Sequence, residues 1–163
     1  MRVLGIDPGI GRLGWGIVDV SGGKLKAEDY GCIETEPNSD TSLRLLEISN
    51  ELSKIFKKHK PDVMAIEELF FGANSKTALV VGQARGVVFL VSAQNKIPVF
   101  VYTPLQVKMA LTGYGRADKN QISQMVKIVL KLEKIPKLDD TSDALAVAVS
   151  HALSSKMNSQ TKL

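Results

Sequence analysis

A chain of 163 residues, 44% hydrophobic and 23% charged, is long enough to bury the core of one ordinary domain and has the balance of a soluble globular protein. No apolar run reaches the ~18 residues needed to span a bilayer, and no basic stretch leads into an apolar one at the N-terminus, so neither a membrane span nor an export signal is expected and a cytoplasmic location is. Cys32 has no second cysteine to pair with and only His59 and His151 beside it as soft ligands, which argues against zinc, while 21 basic against 17 acidic residues give +4 and lean toward a polyanionic partner.

The chain opens on Arg2-Val3-Leu4-Gly5-Ile6-Asp7-Pro8-Gly9. Val3, Leu4 and Ile6 predict a short core strand, ended by Pro8, which has no N–H for a ladder, and by Gly9. Asp7 therefore stands where a core strand ends. It is either a turn aspartate bonded to its own backbone or a charge that needs a partner, because a carboxylate in a sheet interior costs several kcal/mol unless paired. Gly9-Ile10-Gly11-Arg12-Leu13-Gly14 fits G-x-G-x-x-G, but that fingerprint must open a helix, and Trp15-Gly16-Ile17-Val18-Asp19-Val20 reads as strand. With a turn at Ser21-Gly22-Gly23 and a third strand over 24–35, the opening third is an antiparallel meander.

After Glu36-Pro37-Asn38, Asp40 or Thr41 can cap a helix whose apolar face is Leu45, Ile48, Leu52, Ile55 and Phe56, closed by Lys60-Pro61. Val63-Met64-Ala65-Ile66 is again an apolar strand, and again an acid stands at its end, Glu67, with Glu68 behind it on the opposite face by strand alternation. A loop over 70–74 leads to a helix predicted for 75–93. Ala78, Gly82 and Gly86 form a smooth stripe along it, for close packing on the protein's own sheet or on a second copy.

A fifth strand is predicted for 97–102. Thr103-Pro104-Leu105-Gln106 has the cap, the first-turn proline and the third-position glutamine of a helix start. Thr112-Gly113-Tyr114-Gly115-Arg116 is a loop with an aromatic and a cation, Tyr114 and Arg116, which are candidate contacts for a polyanion such as DNA. Asp118 caps the next helix, whose polar sides carry Lys119, Lys127, Lys131 and Lys134, a solvated face that can also meet phosphates. The last helix places Asp139, Asp140 and Asp143 in its first turn, where the helix dipole alone would favour them. Asp140 and Asp143 share one face, Asp139 is expected to point away from it, and 154–163 read as a disordered tail behind a domain of 1–153.

Asp7, Glu67, Asp140 and Asp143 can be brought to one sheet edge by a meander followed by alternating helices and strands. Carboxylates so gathered tolerate one another around divalent cations, and oxygen-only ligation selects Mg²⁺, with Mn²⁺ able to substitute. Two such ions, ~4 Å apart, serve phosphodiester hydrolysis. The fold class expected is α/β with a mixed five-stranded sheet flanked by helices.

Gly5-Ile6-Asp7-Pro8-Gly9 with Gly14-Trp15-Gly16, Ala65-Ile66-Glu67-Glu68, Gly82-Gln83-Ala84-Arg85-Gly86, Pro104-Leu105-Gln106-Val107-Lys108 and Asp140-Thr141-Ser142-Asp143-Ala144-Leu145-Ala146 together resemble the RuvC family of bacterial Holliday junction resolvases. The likeness runs in order over about residues 1–153. It implies an RNase H-like fold, a homodimer, and an endonuclease needing Mg²⁺ or Mn²⁺ that makes two symmetric nicks across a four-way DNA junction beside the RuvAB branch-migration machine. By the same resemblance Asp7, Glu67, Asp140 and Asp143 are the metal-binding catalytic acids, and Lys108 and Lys119 contact the scissile region and backbone. Phe70 stacks on an unpaired base, with Phe71 as its competitor, and the helix over 75–93 is the dimer helix. Actin-like ATPases and sugar kinases share the Gly-Ile-Asp opening but need two lobes. RuvX-like RNA-processing nucleases share the first strand, but the acid-bearing final helix and Gln83-Ala84-Arg85-Gly86 favour RuvC. A non-catalytic DNA-binding module would need the lysines and not the acids.

Overall fold

The computed structural model describes residues 1–68 and 75–160, the side chains at 75–77 and 156–160 excepted. Among the described residues ten elements follow in order: β1 (Arg2–Asp7), β2 (Arg12–Ser21), β3 (Lys24–Glu34), α1 (Thr41–His59), β4 (Val63–Glu67), α2 (Ser75–Gln94), β5 (Val99–Tyr102), α3 (Pro104–Thr112), α4 (Lys119–Leu130) and α5 (Asp139–Gln160). The five strands form one sheet in the order β3-β2-β1-β4-β5. The meander β1-β2-β3 is antiparallel, as its short turns require, and β4 and β5 join parallel after helical crossovers. The mixed sheet flanked by helices is the class the sequence predicts.

β1 lies at the sheet centre and is covered on both sides, which explains its unbroken apolar run. Alternation sends Leu4 and Ile6 into a core with Met64, Ile66, α1 and α2, and Val3 into a second core with Ala65, α4 and α5. The second face carries the site. On it Gly5 pairs with Gly16, and Asp7 with Gly14, across the β1–β2 ladder. A Cβ on Gly5 would collide with the Ala144 carbonyl, and one on Gly14 with the Asp140 carbonyl. These bare positions let α5 lie directly against the strands. At the sheet's other edge the Tyr102 hydroxyl and His151 Nδ1 share a 2.8 Å hydrogen bond that fastens β5 to α5.

The helix starts follow the sequence closely at two places. Thr103 and Gln106 form a reciprocal capping box, as do Asp118 and Gln121, and the latter fixes Lys119 as the first residue of α4. Asp40 takes the cap position of α1 but makes no side-chain cap; its backbone carbonyl receives the Leu43 and Arg44 N–H groups instead. β5 starts at Val99 rather than at Ile97, because Pro98 cannot donate to the ladder and only its carbonyl is used, by the Met64 N–H at 2.9 Å. α5 runs on to Gln160, past the Leu153 at which the sequence reading ends the domain. Among the described residues no helix is long and apolar enough to cross a membrane.

Gly82 and Gly86 of the small-residue stripe of α2 do not pack closely on the protein's own sheet. The helix buries Ala84, Val88 and Val91, while a Cβ added at Gly82 or Gly86 would meet nothing within 4 Å. Leu79 and Leu90, 68% and 56% exposed, stand on the same helix, so α2 is apolar on the core side and on the solvent side alike.

Candidate active site

Asp7 and Glu67 each follow a paired isoleucine, since Ile6 is the register partner of Ile66 on the neighbouring parallel strand. Both acids therefore stand side by side at the C-terminal ends of β1 and β4, on the α5 face. The first turn of α5 arrives over Gly14, the ladder partner of Asp7. That brings Asp140 and Asp143 to the same place, and the electrostatics record it. Burial first, and then the charges of Asp143, Glu67 and Asp140, push the Asp7 carboxyl up to about 7. Glu67 is raised by burial and by Asp143, and Asp143 is raised by burial against the opposing pull of Lys119. A raised carboxyl means the anion lacks compensation where it stands.

Two lysines face these acids. Lys108 of α3 and Lys119 of α4 line one cavity of ≈ 210 Å³ with Glu67 and Asp143. Lys119 Nζ is 3.0 Å from Asp143 Oδ2 and 3.3 Å from Asp139 Oδ2. Asp139 therefore lies within reach of the same ammonium as Asp143, not turned away from it. The two are four residues apart, close to one helical turn, and so share a face. On the other side Arg12 Nη1 lies 3.5 Å from Asp140 Oδ2. A second, shallower cavity of ≈ 570 Å³ joins Arg12, Lys119, Asp139 and Asp140 to Lys137.

Behind the site, the Arg85 guanidinium of α2 donates to the backbone carbonyl of Glu67 and lies 5.1 Å over the Phe89 ring. This fixes the end of β4 from the far face of the sheet. Glu68, next in the chain, exerts its charge on Arg85, in keeping with the opposite face expected for it. Asp139, Arg12 and Arg85 join the site without having been among its sequence candidates. The four-residue spacing of Asp139 and Asp143 was the available signal for the first, whereas no local pattern announces Arg12 or Arg85.

The remaining sequence candidates lie elsewhere. Tyr114 and Arg116 are exposed on the α3–α4 loop and line neither cavity. Ala78, Gly82 and Gly86 are on α2. Phe70 and Phe71 lie outside the described residues.

The donor set is oxygen throughout, which suits a hard divalent cation and not zinc. Among the described residues no three acids close to metal-ligating distance of one point. In this arrangement Lys119 pairs with Asp143 at 3.0 Å, and Arg12 lies 3.5 Å from Asp140. Chemically the acids fit such an ion, and the cations beside them serve as counter-charges.

Comparison with known proteins decides the family. The family model for crossover junction endodeoxyribonuclease RuvC matches residues 3–151. The chain belongs to the RuvC family. RuvC from Caldicellulosiruptor saccharolyticus is 56% identical over 156 residues, covering 95% of this chain and 94% of that protein. RuvC from Alkaliphilus metalliredigens is 52% identical over 163 residues, covering 100% and 99%. Among solved structures, Thermus thermophilus RuvC in complex with a Holliday junction substrate superposes with a TM-score of 0.93 at 36% identity, covering 97% and 96%. The RNase H-like class expected from the sequence is thus the fold of this RuvC chain.

Proposed function

We propose that this protein is a divalent-metal-dependent endodeoxyribonuclease that resolves four-way DNA junctions by two symmetric nicks during recombination and repair. The observation that carries the reading is the meeting of Asp7 and Glu67, on adjacent strand ends, with Asp140 and Asp143, on the first turn of α5. No packing need explains four acids at one place. Membership of the RuvC family and the fold shared with a junction-bound relative support the substrate class.

In this reading Asp7, Glu67, Asp140 and Asp143 hold Mg²⁺ or Mn²⁺, two ions per subunit. The ions supply an activated water and stabilise the leaving oxygen. Lys119 is the counter-charge of Asp143 and Asp139 in the free chain. Released from them, its ammonium is available to a DNA phosphate, and Lys108 faces the same cavity. Arg85 holds the Glu67 backbone in register while its carboxylate works. Tyr114 and Arg116, exposed on the loop before α4, would meet DNA outside the cavity. The α2 face of Ala78, Gly82 and Gly86 with Leu79 and Leu90 fits a second copy of the chain, which would set two sites for two nicks. Cooperation with the RuvAB branch-migration machine is part of this reading, on the family resemblance.

The test is cleavage of a synthetic four-way junction beside a linear duplex of the same sequence, with and without Mg²⁺. Paired nicks on the junction alone, and only with metal, are expected. Equal cutting of both substrates would overturn the junction assignment.

A further inference from the structure

A separate groove lies next to the cavity beside Asp140. Lys137, which lines that cavity with Arg12 and Lys119, also lines this much larger groove of ≈ 1320 Å³ between the β2–β3 hairpin and the connection from α4 to α5. That volume exceeds the ~300–1,000 Å³ of ordinary small-molecule pockets. Five lysines line the groove, Lys24, Lys26, Lys131, Lys134 and Lys137, against Asp19 and Glu133. Asp19 is already taken by Arg2 at 2.7 Å, and Lys26 by Glu28 at 3.4 Å. Among the described residues Lys24, Lys131, Lys134 and Lys137 make no ion pair. Exposed lysines without acidic partners give the groove a positive field that draws a polyanion.

The direction of the groove follows from the ladder. Asp7 pairs with Gly14 at the site end of β1, and Arg2 pairs with Asp19 at the other end. The hairpin lysines therefore lie about one strand length from Asp7, roughly 20 Å for six residues at ~3.3 Å each. α4 covers the same span, from Lys119 beside Asp143 to Leu130 in the groove wall, and the return connection brings Lys131, Lys134 and Lys137 back to Asp139. Duplex DNA advances ~3.4 Å per base pair, so this length corresponds to about six base pairs.

We propose that this lysine groove is a track for one duplex arm of the DNA substrate, holding backbone phosphates out to about six base pairs from the cut. The inference rests on the nuclease reading above and adds a contact surface separate from the acids. It makes affinity depend on charge at a defined distance along the arm, without any base being read.

The test uses the full-length protein with K24Q, K131Q and K134Q combined, and its Lys→Arg counterpart. Binding to a fluorescent four-way junction is measured in EDTA across a salt series. Each B-DNA phosphate contact contributes ~0.9 to the slope of log affinity against log salt. Three lost contacts should flatten it by about 2.7, with the Arg variant keeping the wild-type slope. Replacing the phosphates about four to six base pairs from the cut by methylphosphonates should weaken wild-type binding and leave the Gln variant unaffected. An unchanged slope in the Gln variant, or equal sensitivity of both proteins to the neutral phosphates, would overturn the track. Nicking of the same junction by wild-type protein with Mg²⁺ is scored in parallel: if it fails, the nuclease reading falls, and if it succeeds with an unchanged slope, only the track does.

Discussion

The backbone carbonyl of Asp140 occupies the place where Gly14 would carry a Cβ. Gly14 is in turn the ladder partner of Asp7. One missing methyl group thus sets how closely the acidic first turn of α5 approaches the acidic end of β1. Gly14→Ala should push α5 off the sheet, lowering stability by about 1–3 kcal/mol as overpacked sites do. Junction cleavage should fall more than junction binding. Thermal unfolding with a nicking assay checks this; an alanine variant with wild-type melting and wild-type cleavage would show that α5 does not need the space.

Asp7→Asn should keep junction binding and abolish cleavage even at saturating Mg²⁺. The same variant carries a stability signature. A carboxyl pushed up to about 7 from 3.8 binds its proton more tightly in the folded chain than in the unfolded one. Its contribution is therefore full below the unfolded value and is lost as pH rises through about 7. Metal-free wild-type protein should lose stability between pH 4 and 8, by no more than about 4 kcal/mol from this group. Asp7→Asn should flatten that decline. Denaturant titrations in EDTA at several pH values measure it, and parallel curves for the two proteins would refute the crowding of Asp7.

Lys119→Gln removes the counter-charge of Asp143 and a candidate phosphate contact together. Its junction affinity should drop and its salt slope should flatten by about 0.9. An unchanged slope would leave Lys119 as an internal counter-charge only.

Arg85 touches neither Lys119 nor the cavities, yet it holds the Glu67 carbonyl. Arg85→Ala should lower cleavage about 10–100-fold, the scale seen when the supports of metal ligands are removed. Junction affinity in EDTA should stay near wild type. A loss of binding equal to the loss of cleavage would assign Arg85 to DNA contact instead.

Leu79 and Leu90 leave the solvent side of α2 apolar. In the proposed dimer, Leu79→Glu with Leu90→Glu should break the α2 seam and leave a folded monomer, because both side chains are mostly exposed. Sedimentation velocity and circular dichroism separate the outcomes. Persistence of the dimer would move the interface away from α2, and the monomer should nick junctions without pairing its cuts.

Much of this protein is legible in its residues. Strand ends punctuated by Asp7-Pro8-Gly9 and by Glu67, the capping boxes at Thr103 and Asp118, and the meander of the first third are all local rules of backbone chemistry. Side-chain periodicity fixed which faces are apolar, and order along the chain was enough to bring the family into view. What one dimension leaves open is proximity between distant segments. The packing of α5 over Gly14, the grip of Lys119 on Asp139 and Asp143, the hold of Arg85 on Glu67 through the sheet, and the solvent side of the α2 stripe depend on where helices settle on strands. That is decided by the sum of many weak contacts across the core, and no single stretch of sequence carries it.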